Sequence, residues 1–172
     1  MLAAGAGKRF GGPKAPALVD GERLVDRSVR ILREAGCAPI VVVLGAWIDE
    51  VPGAIPVVNA NWQEGMGSSL RTGLEYLLNT PATNALITLV DLPGLTALGC
   101  ARIVSSSAGV AAATFQGERG HPVKFSREHW ADIIDSAHGD QGARAYLRGR
   151  DDIELIEIAD VASGADLDFK IE

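Results

Sequence analysis

Residues 40–44 read Ile-Val-Val-Val-Leu, an unbroken apolar run dominated by β-branched side chains. A strand with one wet face alternates polar and apolar residues, so a run without alternation is covered on both faces, as in the parallel sheets of α/β proteins. Residues 85–90 repeat the pattern and end at Asp91, and further strands are expected at 56–58, 110–115, 123–125 and 153–158. Helical spacing fills the gaps. Leu24, Ser28, Ile31 and Ala35 recur behind an Asp20-Gly21 turn and ahead of a stop at Gly36, and Leu70, Leu74, Leu77 and Leu78 form one stripe over 69–78. A helix is predicted over 97–107. Another follows Ser126 as N-cap, with Trp130, Ile133, Ile134 and Ala137 on one side, and a short one lies within 140–147. Strands separated by helices of this length predict right-handed βαβ units, and hence an α/β fold: a three-layer α/β/α sandwich around a mostly parallel Rossmann-like sheet. A chain of 172 residues with 47% apolar content suits a single domain spanning 1–172 with a substantial core.

Charge and composition then remove several function classes. The net charge of −6 argues against a nucleic-acid partner, which calls for a basic face. No stretch approaches the roughly 20 apolar residues of a membrane span, and the start lacks the charged region and long apolar core of a signal peptide, so a cytoplasmic location is expected. Cys37 and Cys100 stand alone, without a C-x-x-C spacing or a neighbouring His, and are read as small apolar residues.

In an open α/β sheet the ligand crevice lies beyond the carboxyl ends of the strands. Three segments fall there: the glycine-rich opening, Asn59 and Asn61, and Asp91. Residues 2–14 read Leu-Ala-Ala-Gly-Ala-Gly-Lys-Arg-Phe-Gly-Gly-Pro-Lys, which combines backbone able to approach a phosphate with three cations, Lys8, Arg9 and Lys14. It is not a dinucleotide fingerprint, because Phe10 stands where G-x-G-x-x-G needs its third glycine. Nor is it a P-loop, because no Gly-Lys-Ser/Thr occurs. A phosphate cradle and a mobile basic loop both remain open on these residues alone. Asp91, at a strand tip ahead of Leu92-Pro93-Gly94, is a candidate magnesium ligand or a cap on the next turn. Asp166 and Asp168, two residues apart, would point to one side if the segment is extended, and are either further metal ligands or a solvated acidic tail. Gly65-Met66-Gly67-Ser68-Ser69 could form an anion site at a helix start, or one serine is the N-cap. His121, beside Pro122, is a candidate base or phosphate ligand, or a histidine satisfied by local backbone. Gly139 to Arg144 offers another helix start with a cation, and Trp47, Trp62 and Trp130 are read as packing residues.

The opening matches L-A-A-G-x-G-x-R-x-G-x-x-K, and so resembles the signature of the MobA/MocA-like nucleotidyltransferases, whose sheet is of the nucleotide-diphospho-sugar transferase type. Asp91-Leu92-Pro93 is similar to that family's Asp-x-Pro. The string Asn61-Trp62-Gln63-Glu64-Gly65-Met66-Gly67-Ser68-Ser69-Leu70-Arg71 resembles the MocA branch, as do Gly120-His121-Pro122-Val123 and 139–144. The resemblance implies Mg2+-dependent transfer of a nucleoside monophosphate, CMP rather than GMP, from a nucleoside triphosphate to a phosphorylated acceptor such as molybdopterin. It implies Lys14 and Arg9 as catalytic cations, and Leu2, Ala3, Ala4, Gly5, Gly7 and Asn59 on the nucleotide. Asp91 with Asp168 or Asp166 would hold the metal, and Ser68, Ser69 and His121 the acceptor. A molybdoenzyme or maturation factor would be the protein partner. Where the family follows its Asp-x-Asp with Thr-Pro, this chain reads Phe169-Lys170, and the several apolar residues that precede Leu-Ala-Ala-Gly in the family are missing, so a natural start upstream of Met1 is expected. Some similar chains carry the name of oxidoreductases that reduce nicotine blue with a nicotinamide cofactor, and a noncatalytic cofactor carrier is a third reading.

Overall fold

The computed structural model describes residues 1–167, so Asp168 lies outside the described residues. One edge of the sheet is parallel, with β1 (Leu2–Ala3) paired to β4 (Val41–Leu44) and β4 to β5 (Ile55–Val58). The other half runs β6 (Asn84–Ile87), β8 (Glu118–Ser126), β7 (Val110–Phe115), β9 (Ile153–Glu157). The halves meet through a parallel bridge between Leu2 and Leu89, where the Leu2 amide donates to the Thr88 carbonyl and Val90 donates back to Leu2. The strand predicted to reach residue 90 therefore ends as a ladder element at Ile87 and continues as this bridge.

Why both faces of residues 40–44 are apolar is now visible. Val42 and Leu44 enter one core with Leu24, Val25, Val29 and Leu32 of α1 (Leu24–Glu34) and Cys100 and Ile103 of α3 (Ala97–Val104). Val43 enters the other with Leu70 and Leu74 of α2 (Met66–Leu78) and Trp130 and Ile133 of α4 (Trp130–Ser136). Period-two alternation thus sends neighbouring residues to opposite helical layers, which is the three-layer α/β/α sandwich. Ala111 and Ala113 against Val110 and Ala112 divide in the same way. Cys100 is buried among these side chains, as a small apolar residue, and burial pushes its thiol up to about 12; Cys37 is only half-buried, and burial raises its thiol as well.

Several local expectations are corrected. β8 spans nine residues rather than 123–125 and is antiparallel to both neighbours, so the sheet is mixed in this half. Its length comes from the Gln116-Gly117 turn, where both residues take positive φ and fold β7 back on β8. The Asp20-Gly21 turn likewise joins a small hairpin, β2 (Leu18–Val19) with β3 (Glu22–Arg23), which periodicity over four residues does not reveal. Helix α3 stops at Val104 rather than at 107. Ser126 caps nothing; its hydroxyl bonds Asn84 Oδ1 across β6 and β8, and a 3-10 turn over residues 127–129 precedes α4. The last helix, α5, is reduced to Arg144–Leu147. No helix among the described residues is long and apolar enough to cross a membrane.

Candidate functional site

The opening turn leaves β1 at Ala3 and closes on itself: Gly11 and Gly12 amides both donate to the Gly7 carbonyl, at 2.9 and 3.1 Å. Gly7 has φ +58°, and a Cβ there would lie 1.9 Å from the Gly12 oxygen, so only glycine fits. This closure carries Lys14 back over the sheet edge, where its Nζ meets Asp91 Oδ2 at 2.7 Å. Asp91 is positioned by the Leu2–Leu89 bridge one turn of chain earlier, so the cation of the turn and the carboxylate of the strand tip share one anchor. Their side chains are only 14% and 22% exposed. Partial burial makes the pair stronger than a surface ion pair, yet leaves both groups reachable.

A cleft of about 630 Å³ opens beside this pair, lined by residues 2–8, Lys14, Trp62, Gln63, Gly65, Met66, Ser69, Leu89, Val90, Asp91 and Asp140. Leu2, Ala3, Ala4, Gly5, Gly7, Lys14, Ser69 and Asp91 are thereby brought together, as the sequence suggested. Lys8 also faces the cleft, whereas Arg9 is exposed on the same turn without lining it.

Asn59 sits elsewhere. It is buried, and its amide donates to Ser68 Oγ at 2.8 Å and Ser69 Oγ at 3.0 Å while its own oxygen accepts from the Asn61 amide. All three polar positions are thus used within the protein, one layer behind Ser69, where Asn59 fixes the start of α2. Ser68 is equally committed, hydrogen-bonded to Asn59 and to the Asn61 and Gly65 carbonyls, so the helix begins at Met66 without a serine cap. His121 Nδ1 donates to the Ile87 carbonyl at 3.3 Å just behind the strand tip, off the cleft lining. Burial pushes its pKa down, outweighing the carboxylates of Asp91 and Asp166 nearby, which keeps the ring neutral at pH 7.

A divalent cation fits these donors. The Leu167 amide donates to the Asp91 carbonyl at 2.9 Å, which brings Asp166 alongside Asp91. Among the described residues no three His, Cys, Asp or Glu side chains converge. One or two carboxylates are what magnesium takes from a protein when substrate phosphates and water fill its other positions.

Sequence reasoning missed Asp140 as a lining residue. A Cβ on Gly65 would lie 2.5 Å from Asp140 Oδ1, and one on Gly67 would lie 2.8 Å from the Ala137 carbonyl. Gly65-Met66-Gly67 is thus the surface on which the chain from 137 to 140 packs. Arg71 ties that chain down through the Ala137 carbonyl at 2.5 Å. The paired glycines were the available signal, since two glycines one residue apart at a helix start mark a close approach.

A cationic glycine turn leaving a parallel strand and a carboxylate at the neighbouring strand tip thus place an ammonium and a carboxylate together at the lining of one cleft in an α/β domain. The chain belongs to the MobA-like NTP transferase domain family, which it matches over residues 1–155, and it is a nucleotidyltransferase of that family. It is 36% identical over 186 residues to a protein of Paenarthrobacter nicotinovorans named nicotine blue oxidoreductase, covering 98% of this chain and 90% of that one. A probable molybdenum cofactor guanylyltransferase of Opitutus terrae is 33% identical over 101 residues, 56% of this chain and 48% of that one. Among solved structures, a Mycobacterium sp. strain JC1 homologue of Mycobacterium tuberculosis rv0371c superposes with TM-score 0.82 at 25% identity, covering 98% of this chain and 88% of that one.

Proposed function

We propose that this nucleotidyltransferase is magnesium-dependent and moves CMP, rather than GMP, from a nucleoside triphosphate to a phosphorylated acceptor, molybdopterin, releasing pyrophosphate. The observation that carries the reading is the Lys14–Asp91 pair at the cleft. The two groups neutralise one another in the free protein, and a cation-bound triphosphate offers each a better partner: phosphate oxygens for the ammonium, the cation for the carboxylate. The MocA-like string at 61–71 supports CMP and a pterin acceptor.

In the reaction a phosphate oxygen of the acceptor attacks the α-phosphorus and pyrophosphate departs, so charge builds on nonbridging and leaving oxygens. Such chemistry asks the protein for position and charge rather than for a nucleophile. Lys14 meets the leaving oxygens, with Lys8 and Arg9 on the same turn adding positive potential. The backbone of Leu2, Ala3, Ala4 and Gly5, with Gly7, faces base and sugar, and Asn59 acts by holding Ser69 at the lining. Ser68 and His121 stand behind the acceptor side, where Ser68 supports the start of α2 and the neutral imidazole, held on the Ile87 carbonyl, does not repel the cation. When bound by Asp91, with Asp166 or Asp168, magnesium supplies neutralisation of the triphosphate charge. The reading extends to a single domain over 1–172, to the cytoplasm, and to a molybdoenzyme or maturation factor that takes up the product.

Pyrophosphate release with each nucleoside triphosphate in turn, with and without pterin cofactor, tests this. CTP should give acceptor-dependent release that chelation of divalent ions abolishes. Absence of release with every nucleotide would overturn it and leave the carrier reading. The name of the Paenarthrobacter nicotinovorans relative favours a second reading, a nicotinamide-dependent oxidoreductase; loss of NADPH absorbance with candidate acceptors would select it.

A further inference from the structure

Asp140 is a carboxylate without a hydrogen-bond or ion-pair partner among the described residues, and it lines a cleft whose other charged groups serve phosphate and metal. Asp140 is exposed at the cleft, its carboxylate rests against Gly65, and the chain leading to it packs on Gly67 under the Arg71 tie. The same cleft is lined by Trp62, braced by Gly45 at a distance that excludes any Cβ there, and by Met66, packed against Gly142. The indole presents a flat face, and the thioether a polarisable and adaptable one. A phosphate against Asp140 would be repelled, so the part of the ligand that reaches this wall carries N–H donors.

We propose that Asp140, with Trp62 and Met66, forms a subsite that recognises a flat heterocycle through its exocyclic amino group. The recognition deepens the nucleotidyl-transfer reading and rests on it for the placement of phosphates at Lys14. A carboxylate accepting from an amino group on a ring edge is a standard pairing, and replacing the amino group by a carbonyl sets lone pair against lone pair. The ring belongs either to the nucleobase or to the acceptor, and two matched probe pairs distinguish these sources. CTP against UTP exchanges amino for oxo on the base. Pterin against lumazine makes the same exchange on a pteridine.

Titration calorimetry on the wild-type protein and Asp140→Asn tests the subsite, with pyrophosphate as a probe of the Lys14 end alone. In the wild type one amino-bearing member should bind at least about fivefold more tightly than its oxo partner, as expected for one charge-assisted hydrogen bond at an exposed site. Asp140→Asn should erase that preference and leave pyrophosphate affinity unchanged, and the pair affected names the source of the ring. No preference within either pair, or a preference that survives Asp140→Asn, would overturn the proposal. Pyrophosphate that fails to bind the wild type would count against the transfer reading instead, independently of the ring probes.

Discussion

Lys14→Ala removes one charge from the cleft and changes little else, which makes it the sharpest test of the site. The ammonium lies 2.7 Å from Asp91 Oδ2 with 14% of its side chain exposed. A part-buried pair lies between the roughly 0–1 kcal/mol of exposed ion pairs and the larger loss seen when a buried partner is removed, so about 1–2 kcal/mol of stability is at stake. For a domain of this size that is a fall of about 2–8 °C in Tm, and the variant stays folded. Catalysis should suffer more. Losing one preorganised donor to developing charge costs on the order of 2.7–4 kcal/mol, a fall in turnover of at least about a hundredfold. The two effects separate by assay: thermal unfolding reads the first, and pyrophosphate release under saturating nucleotide reads the second. Divalent-ion affinity without nucleotide should rise in the same variant, because Asp91 no longer has to give up its ammonium. Wild-type turnover in a folded Lys14→Ala protein would refute the reasoning, whatever the metal affinity does.

Gly7→Ala should destabilise by at least about 1–2 kcal/mol in chemical denaturation and weaken nucleotide binding, since left-handed backbone and the Gly12 carbonyl both oppose a Cβ. Asn59→Ala should cost about 2–3 kcal/mol by the same measurement, because three internal hydrogen bonds end at one buried amide. At low pH, the Glu157 carboxylate matters: backbone amides of Gly117, Gln116 and Ala159, with the Thr114 hydroxyl, hold its pKa down at about 2. Its contribution is fully present above the ordinary glutamate value and is lost as pH falls toward 2, so Glu157→Gln should flatten the acid limb of an unfolding titration. His121 acts in a milder range. Its pKa is depressed by burial, so the folded state resists protonation and stability falls as pH drops below about 6.5; His121→Gln should remove that slope.

What residues alone determined is the layered fold and the crevice at which the opening turn and Asp91 meet. Residues 40–44 could be covered on both faces only by helices on each side of a sheet, topology put the opening turn and Asp91 at one crevice, and the family resemblance singled out Lys14 and Asp91 there. Those inferences rest on local periodicity and on where α/β topology puts its loops, both of which are written along the chain. Tertiary structure decided the rest. Asn59, Ser68 and Ser69 look alike in sequence, yet only Ser69 reaches the cleft, because Asn59 spends its amide on both serines. Lys8 rather than Arg9 faces inward because Gly7 turns the chain by a carbonyl contact five residues away. The antiparallel β8 and the carboxylate of Asp140 depend on contacts between residues far apart in the chain, such as Ala112 with Val123, 11 residues on, and Gly65 with Asp140, 75 residues on, and no local pattern records these. Periodicity tells which face of an element is buried; which side chain then spends its hydrogen bonds inside, and which keeps them for a ligand, is settled only when the elements meet.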